Sequence, residues 1–325
     1  MQRPASDADW LAAAARLAGR ARPLSNPNPG VAAIIVKDGA VIGRGWTQAG
    51  GRPHAEAAAL AHAGDAAQGA TLYSTLEPCA HRSDRGPACS DLIAASGIAA
   101  LVYAVEDPDP RTAGGGAKWI ARAGIAVRQV HCAAAHASLS GYLTRQRLGR
   151  PHVTLKLAMS LDGSTALANG NSQWITGEIA RAHVHSRRAM ADTILVGGGT
   201  WRSDRPRLNV RLPGLETRSP ARYVLTRGTA PEGVQTISSP EAISDIPGAQ
   251  YLYVEGGAMT AAAFLAADLV DTLHLYRAPI VIGGGSGSVN DIGLADLASA
   301  HDRWALTDRR QLGSDLFEAY QRQAH

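Results

Sequence analysis

In the first half of the chain, short apolar runs alternate with stretches rich in helix formers. Val31 to Val36 and Ala40 to Gly45 flank Lys37-Asp38-Gly39, which predicts a hairpin of two strands. Ser6 is the expected N-cap of an earlier helix running from Asp7 to about Ala21 and stopped before Pro23. After the hairpin the pattern predicts a helix from Ala55 to His62, a strand from Thr71 to Thr75, a helix from Ser90 to Ser96 and a strand from Ala99 to Val105. A helix near Ala117 to Ala123, a strand from Ile125 to Val130 and a helix from Ala133 to Leu148 close this half. Such alternation implies a largely parallel sheet with helices on both faces. Gly149-Arg150-Pro151 is a stop signal, so domains of residues 1–150 and 151–325 are expected. The second half restarts with the period-two positions Val153, Leu155 and Leu157. It continues with a helix from Glu178 to about Met190 and strands at Arg222 to Thr226 and Leu252 to Val254, a second α/β unit.

With 325 residues, 45% of them apolar and 18% charged, the chain is long enough for two separate cores. No apolar run is long enough to cross a bilayer and the first residues lack the core of a signal peptide, so a cytoplasmic protein is expected. Three cysteines do not make a disulfide framework. A net charge of +4 without a Lys/Arg run or interleaved aromatics is too weak a field to suggest nucleic acid, and phosphorylated small molecules account for it as well.

Chemistry concentrates in His54-Ala55-Glu56, Pro78-Cys79 and Cys89. One imidazole and two thiolates suit Zn2+ and leave its fourth position open to water, whose pKa the ion lowers. Glu56, outside the ligand set, would carry protons between that water, a ring nitrogen and a departing amine. The order H-x-E, then P-C and a second cysteine, is that of zinc deaminases. Pro53 and Pro78 precede ligands, and both pieces are expected to open helices whose N-terminal dipoles favour thiolate.

The segment Thr75-Leu-Glu-Pro-Cys79, with His81, Arg85 and Cys89, resembles the bifunctional riboflavin-biosynthesis deaminase/reductase family. Nine residues separate the cysteines, one more than is usual there, and the family's Thr-Pro-Pro is replaced by Gly86-Pro87-Ala88. Asn26-Pro27-Asn28-Pro29 is similar to the family's HPNP turn, and Asp107 to Pro110 with Ala113 to Gly116 is similar to DPNP and AGRG, with Gly115 at the arginine. The resemblance implies Asn28, His81 and Arg85 as deaminase substrate contacts. The second half resembles the family's reductase through Lys156 to Gly163 (K-L-x-x-S-L-D-G), Ser172 to Thr176 (S-Q-W-I-T), Val196 to Arg211 and Val254 to Gly257. It implies NADPH against Met159, Trp174, Thr200, Asp204 and the helix start Gly257, Ala258, Met259, Thr260, Ala261, Ala262 and Ala263. It also implies substrate at Ser172, Arg188, Leu208, Arg211 and Glu255.

The implied fold is a cytidine-deaminase-like α/β/α domain followed by a dihydrofolate-reductase-like α/β domain. The implied function is zinc-dependent deamination of 2,5-diamino-6-(5-phosphoribosylamino)pyrimidin-4-one, then NADPH-dependent reduction of the ribosyl group of the resulting uracil to ribityl. The family also implies a homo-oligomer, dimer or tetramer. A nucleic-acid or nucleoside deaminase with an appended nucleotide-binding domain shares the zinc motif, but no basic, aromatic-rich stretch supports it. A non-catalytic nucleotide-binding protein is the other class, and the intact Glu56 argues against it.

Overall fold

The computed structural model describes residues 5–81 and 85–323; residues 82–84, in the lengthened segment between Cys79 and Cys89, lie outside it. The chain divides into two compact units, Met1–Gly149 and Arg150–His325.

The first unit opens with α1 (Asp7–Ala18), started by a capping box in which Ser6 and Asp9 each satisfy the other's backbone N–H. The helix stops at Ala18, short of the expected Ala21. Beyond it the backbone makes i→i−3 bonds, Arg20 to Leu17 and Ala21 to Ala18, and turns towards Pro23. The hairpin β1 (Ala32–Lys37) and β2 (Ala40–Trp46) follows, then α2 (Ala55–Ala63), β3 (Thr71–Leu76), α3 (Cys89–Ala94), β4 (Ala100–Val105), α4 (Gly115–Arg122) and β5 (Ala126–Gln129). The sheet order is β2-β1-β3-β4-β5. It is mixed rather than largely parallel: β1 pairs antiparallel with both β2 and β3, and only β3-β4-β5 run parallel. A tight hairpin must reverse direction, and the following crossover returns β3 against β1 in the opposite sense. All of β4 is buried, so layers cover both faces of the sheet.

Two further expectations are corrected. The expected helix Ala133 to Leu148 is two helices, α5 (Ala133–Ser138) and α6 (Ser140–Leu148), broken at Leu139, where φ is −101° and ψ is 5°. Leu139 is buried with Ala135, Tyr142 and Leu143 in the core, and its placement there takes the backbone out of helical register. Pro78-Cys79 opens no helix. Glu77, itself buried, accepts N–H bonds from Gly114 (2.9 Å) and Ala117 (3.0 Å) at the start of α4. A Cβ on Gly116 would lie 1.8 Å from the Pro78 carbonyl oxygen, so α4 packs directly on this segment and keeps it extended. His54 caps α2 as expected, and of the two cysteines only Cys89 begins a helix.

The second unit contains β6 (His152–Met159), β7 (Ser164–Ala166), α7 (Glu178–Arg188), β8 (Thr193–Gly197), α8 (Gly198–Asp204), β9 (Ala221–Leu225), β10 (Gln235–Ile237), β11 (Tyr251–Val254), α9 (Ala258–Ala266), β12 (Thr272–Arg277), β13 (Ser286–Gly287), β14 (Trp304–Leu312) and β15 (Asp315–Arg322). Its main sheet has the order β10-β9-β8-β11-β6-β12-β15-β14, parallel from β10 to β12 and finished by an antiparallel pair. Asp271, just before β12, accepts both Arg150 Nη atoms (2.7 and 2.9 Å) and the Val153 N–H (2.7 Å), which fixes the chain's entry into β6.

In the first unit, α2 lies so close to β2 that a Cβ on Gly45 would sit 2.3 Å from the Ala55 carbonyl oxygen and 2.5 Å from the Ala59 nitrogen. These atoms are helix backbone and cannot swing aside, so the glycine sets the height of α2 and of His54 at its N-cap. Gly45→Ala is expected to cost about 1–3 kcal/mol, the scale of an overpacked core site. Urea denaturation checks it, and an unchanged midpoint would mean that α2 is free to shift.

Candidate functional site

In the first unit three elements converge. His54 is the residue before α2, Cys79 follows β3 on the segment pinned by Glu77, and Cys89 is the first residue of α3. The Cys79 and Cys89 sulfurs lie 3.5 and 3.4 Å from His54 Nδ1, and the three possible ligand atoms are all within 4.8 Å of one another. Among the described residues this is the one His/Cys/Asp/Glu group with metal-ligand spacing. The donor set fits zinc: two buried soft sulfurs and a half-buried imidazole nitrogen, close together.

Asn28 sits behind His54. Its Nδ2 donates to the Gly51 carbonyl (3.0 Å) and lies 3.1 Å from His54 Nε2, so the second ring nitrogen is held and Nδ1 is left for the sulfurs. The Cys89 thiol meets Glu56 Oε2 at 3.5 Å. Glu56 is fully buried; desolvation pushes its carboxyl up to about 7, against the opposing pull of His54. The hydrogen bond from Cys89 holds the Cys79 thiol well below its ordinary value, and the same bond with burial pushes Cys89 up. Burial disfavours a charged His54, but the Cys79 bond and the Glu56 charge outweigh it.

The other expected deaminase residues, His81 and Arg85, lie on the segment between Cys79 and Cys89. His81 Nδ1 is 3.5 Å from Thr112 Oγ1, beyond β4. Arg85 donates to the Gly50 carbonyl and lines a cavity of about 300 Å³ that also reaches His54 and Cys89. Glu77 is a residue the sequence pattern quoted without assigning. Its signal was a lone acid at the end of an apolar strand, and it positions Cys79 as described.

In the second unit the starts of α8 and α9 follow the carboxyl ends of the adjacent parallel strands β8 and β11, the usual edge for a nucleotide cleft in such sheets. Thr200 and Asp204 lie on α8. Gly257 caps α9, and Ala258 to Ala263 form its first turns. A Cβ on Gly257 would meet Thr200 Oγ1 at 3.6 Å, and one on Gly199 nothing within 4 Å, so backbone amides border open space there. Met259 is exposed on α9, and Met159 closes β6. Trp174 is 65% exposed with the Arg181 guanidinium 4.9 Å from its ring centroid. Ser172 precedes it on the same irregular stretch.

Glu255 directly follows β11, its side chain about 10% exposed. Arg188 Nε and Nη2 donate to its two oxygens (2.6 and 3.0 Å), and Arg188 Nη1 donates to the Asn209 carbonyl (3.1 Å). Burial raises the Glu255 carboxyl, but the Arg188 charge wins and holds it below the usual range. The Arg188 fork is thus committed to the protein. Leu208 is buried with a φ of +54°, a left-handed conformation that turns the chain towards Arg211. Arg211 is exposed and donates from Nε to His185 Nε2 at 3.3 Å. Burial, Arg188 and Arg211 keep that imidazole neutral, lowered to about 4.

Lys156 went unassigned in the sequence, although it opens the K-L-x-x-S-L-D-G block. Its Nζ lies 3.9 Å from Glu255 Oε2, and burial lowers its pKa. A lysine on a strand flanked on both sides by parallel neighbours, β11 and β12, was the available signal.

These features define a zinc-binding pyrimidine-deaminase domain of the cytidine-deaminase type followed by a dihydrofolate-reductase-like domain. Residues 4–105 match the cytidine and deoxycytidylate deaminase zinc-binding region, and residues 151–317 match the RibD C-terminal domain. The chain is 36% identical to the riboflavin biosynthesis protein RibD of Escherichia coli (strain K12), over 95% of this chain and 98% of that one. It is 39% identical to RibD of Mycobacterium tuberculosis (strain CDC 1551 / Oshkosh), over 89% and 90%. The solved structure of Acinetobacter baumannii RibD, form 1, superposes with a TM-score of 0.86 at 33% identity, covering 98% and 99% of the two chains. A Thermotoga maritima deaminase/reductase superposes with a TM-score of 0.86 at 30% identity, covering 97% and 98%. The chain belongs to the RibD family of bifunctional riboflavin biosynthesis proteins, which join a deaminase to a reductase.

Removing the Glu255 carboxylate leaves Arg188 and Lys156 as largely enclosed cations without their acid. Glu255→Ala is expected to destabilise the second unit by about 3–5 kcal/mol, the cost of a broken buried ion pair. Chemical denaturation followed by tryptophan fluorescence checks it, and a loss below about 1 kcal/mol would show these charges to be solvated.

Proposed function

We propose that the first unit deaminates 2,5-diamino-6-(5-phosphoribosylamino)pyrimidin-4-one at the His54/Cys79/Cys89 centre and that the second reduces the ribosyl group of the uracil product to ribityl. The observation that carries this reading is the convergence of those three ligand atoms with the buried Glu56 beside them. The cofactors are zinc and NADPH.

When bound by His54 Nδ1 and the two sulfurs, zinc supplies a Lewis acid that makes water a nucleophile near neutral pH. Glu56 moves the protons. Buried beside the Cys89 ligand, its carboxylate can accept a proton from water, give one to a ring nitrogen and pass one to the leaving ammonia. Asn28 keeps the His54 ring oriented through Nε2. Arg85 and His81 contact the phosphoribosylamino-pyrimidine.

NADPH supplies a hydride to C1′ of the ribosyl group. The free amides at the start of α9, Gly257 to Thr260, with Thr200 and Asp204, would hold its pyrophosphate and ribose, with Ala261 to Ala263 completing that first turn and Met159 and Trp174 flanking it. Ser172 and Leu208 border the substrate. Glu255, locked by Arg188 and facing Lys156, gives the substrate pocket a fixed acceptor next to a buried cation. Arg211 takes the phosphate, since Arg188 is already spent on Glu255 and the Asn209 carbonyl. The same reading makes the protein a cytoplasmic homo-oligomer, dimer or tetramer, acting on small molecules and not on nucleic acid. Among the described residues no helix is long and apolar enough to cross a membrane.

Glu56→Gln is expected to keep about one zinc per chain and to lose ammonia release by at least about 100-fold, the lower scale of general acid–base catalysis. It should still oxidise NADPH when given the deaminated intermediate. An empty metal site, or parental ammonia release, would remove Glu56 from this role. Arg211→Gln should raise KM for the phosphorylated uracil by roughly 30-fold, or about 2 kcal/mol, the scale of a lost charged hydrogen bond. KM for NADPH should hold, and the reverse pattern in steady-state kinetics would move Arg211 to the cofactor.

A further inference from the structure

We propose that Arg52 is a second phosphate-binding residue of the deaminase site, forming with Arg85 a two-guanidinium clasp across the mouth of the metal-centre cavity. The proposal deepens the deaminase reading and rests on it. Two loops meet at this cavity, one just before α2 and one just before α3, and each offers the other one guanidinium and one carbonyl. Arg52 Nη1 donates to the Pro87 carbonyl (3.2 Å), and Arg85 Nη2 donates to the Gly50 carbonyl. Both arginines line the same space of about 300 Å³ as His54 and Cys89, and among the described residues lining it none is a carboxylate. Two guanidiniums at one cavity, with no carboxylate among its described lining residues, favour an anion.

Gly86 is shaped to this arrangement. Its φ is +134°, outside the range of ordinary side chains, and a Cβ there would come within 3.3 Å of Arg52 Nη1. The glycine therefore clears the place where Arg52 crosses to the opposite loop. A guanidinium carries five donors, and the Pro87 carbonyl engages Arg52 through Nη1 alone in the geometry described. The planar fork that remains matches a phosphate oxygen pair. The substrate's ribosyl phosphate is the anion that the reading supplies, and the clasp holds it while the pyrimidine reaches the metal ligands.

The test compares Arg52→Ala and Arg52→Lys with the parent on two substrates, the diaminopyrimidine ribosyl phosphate and its dephosphorylated riboside, following ammonia release. Zinc content and NADPH oxidation of the deaminated intermediate report that each variant is folded. For Arg52→Ala, KM for the phosphorylated substrate should rise roughly 10- to 100-fold with kcat little changed, the scale of one or two lost charged bonds. The riboside kinetics should not move. Inorganic phosphate should compete with the substrate in the parent and do so more weakly in the variant, and Arg52→Lys should recover part of the loss. An equal loss on both substrates, or a fall in kcat at constant KM, would overturn the phosphate role and make Arg52 only a loop latch. A parent that releases no ammonia from either substrate would overturn the deaminase reading itself, and this proposal with it.

Discussion

Two buried thiols and a half-buried imidazole nitrogen, held within 4.8 Å of one another, are the constraint on which the first domain depends. Without a cation such groups compete for protons: Cys79 is driven towards thiolate and Cys89 away from it by the same hydrogen bond. A divalent ion removes the conflict by taking both sulfurs as thiolates. Each donor is fixed by a different device. His54 is set by the close approach of α2 to β2 over Gly45, Cys79 by the Glu77 anchor under α4, and Cys89 by the start of α3. The metal ties together three loops of a sheet whose strands supply the rigidity, while the chemistry stays on the loops.

The second domain solves a different problem, that of holding charge in a buried pocket so that it meets a substrate rather than water. Glu255, Arg188 and Lys156 are a short network of one acid and two bases, and the bidentate Arg188–Glu255 pair is its fixed part. Such a network adds little net stability, but it leaves each polar group oriented. The cofactor cleft needs less. Two helix starts beside two strand ends provide amides and room, and small residues such as Gly199 and Gly257 keep that room open.

Much of this was legible in the sequence because the chemistry is carried by rare residue types in a fixed order. His54, Glu56, Cys79 and Cys89 could be picked out since few other arrangements need them, and the strands by their period. What escaped depends on contacts between distant segments. The direction of β1 against β3 is a matter of how a crossover returns, and no local pattern encodes it. The extended course of Pro78-Cys79 comes from Glu77 and from α4 packing on Pro78, about forty residues away. Leu139 breaks a stretch of good helix formers because the core claims its side chain. Lys156 is one residue of a quoted motif, and only the fold brings its Nζ to within 3.9 Å of Glu255, about a hundred residues on. Arg85 stood out through the family motif, but Arg52 is an ordinary arginine in sequence, and only its passage by Gly86 to the Pro87 carbonyl sets it apart.

The central claim is a zinc centre with one imidazole and two thiolate ligands and its fourth position left to a light atom. X-ray absorption at the zinc K edge on the purified chain tests it most directly. The account predicts a shell of two sulfurs at about 2.3 Å and a second shell of two nitrogen or oxygen atoms at about 2.0–2.1 Å. A spectrum fitted by four sulfurs, by no sulfur, or by a closed shell with no exchangeable light ligand would contradict it.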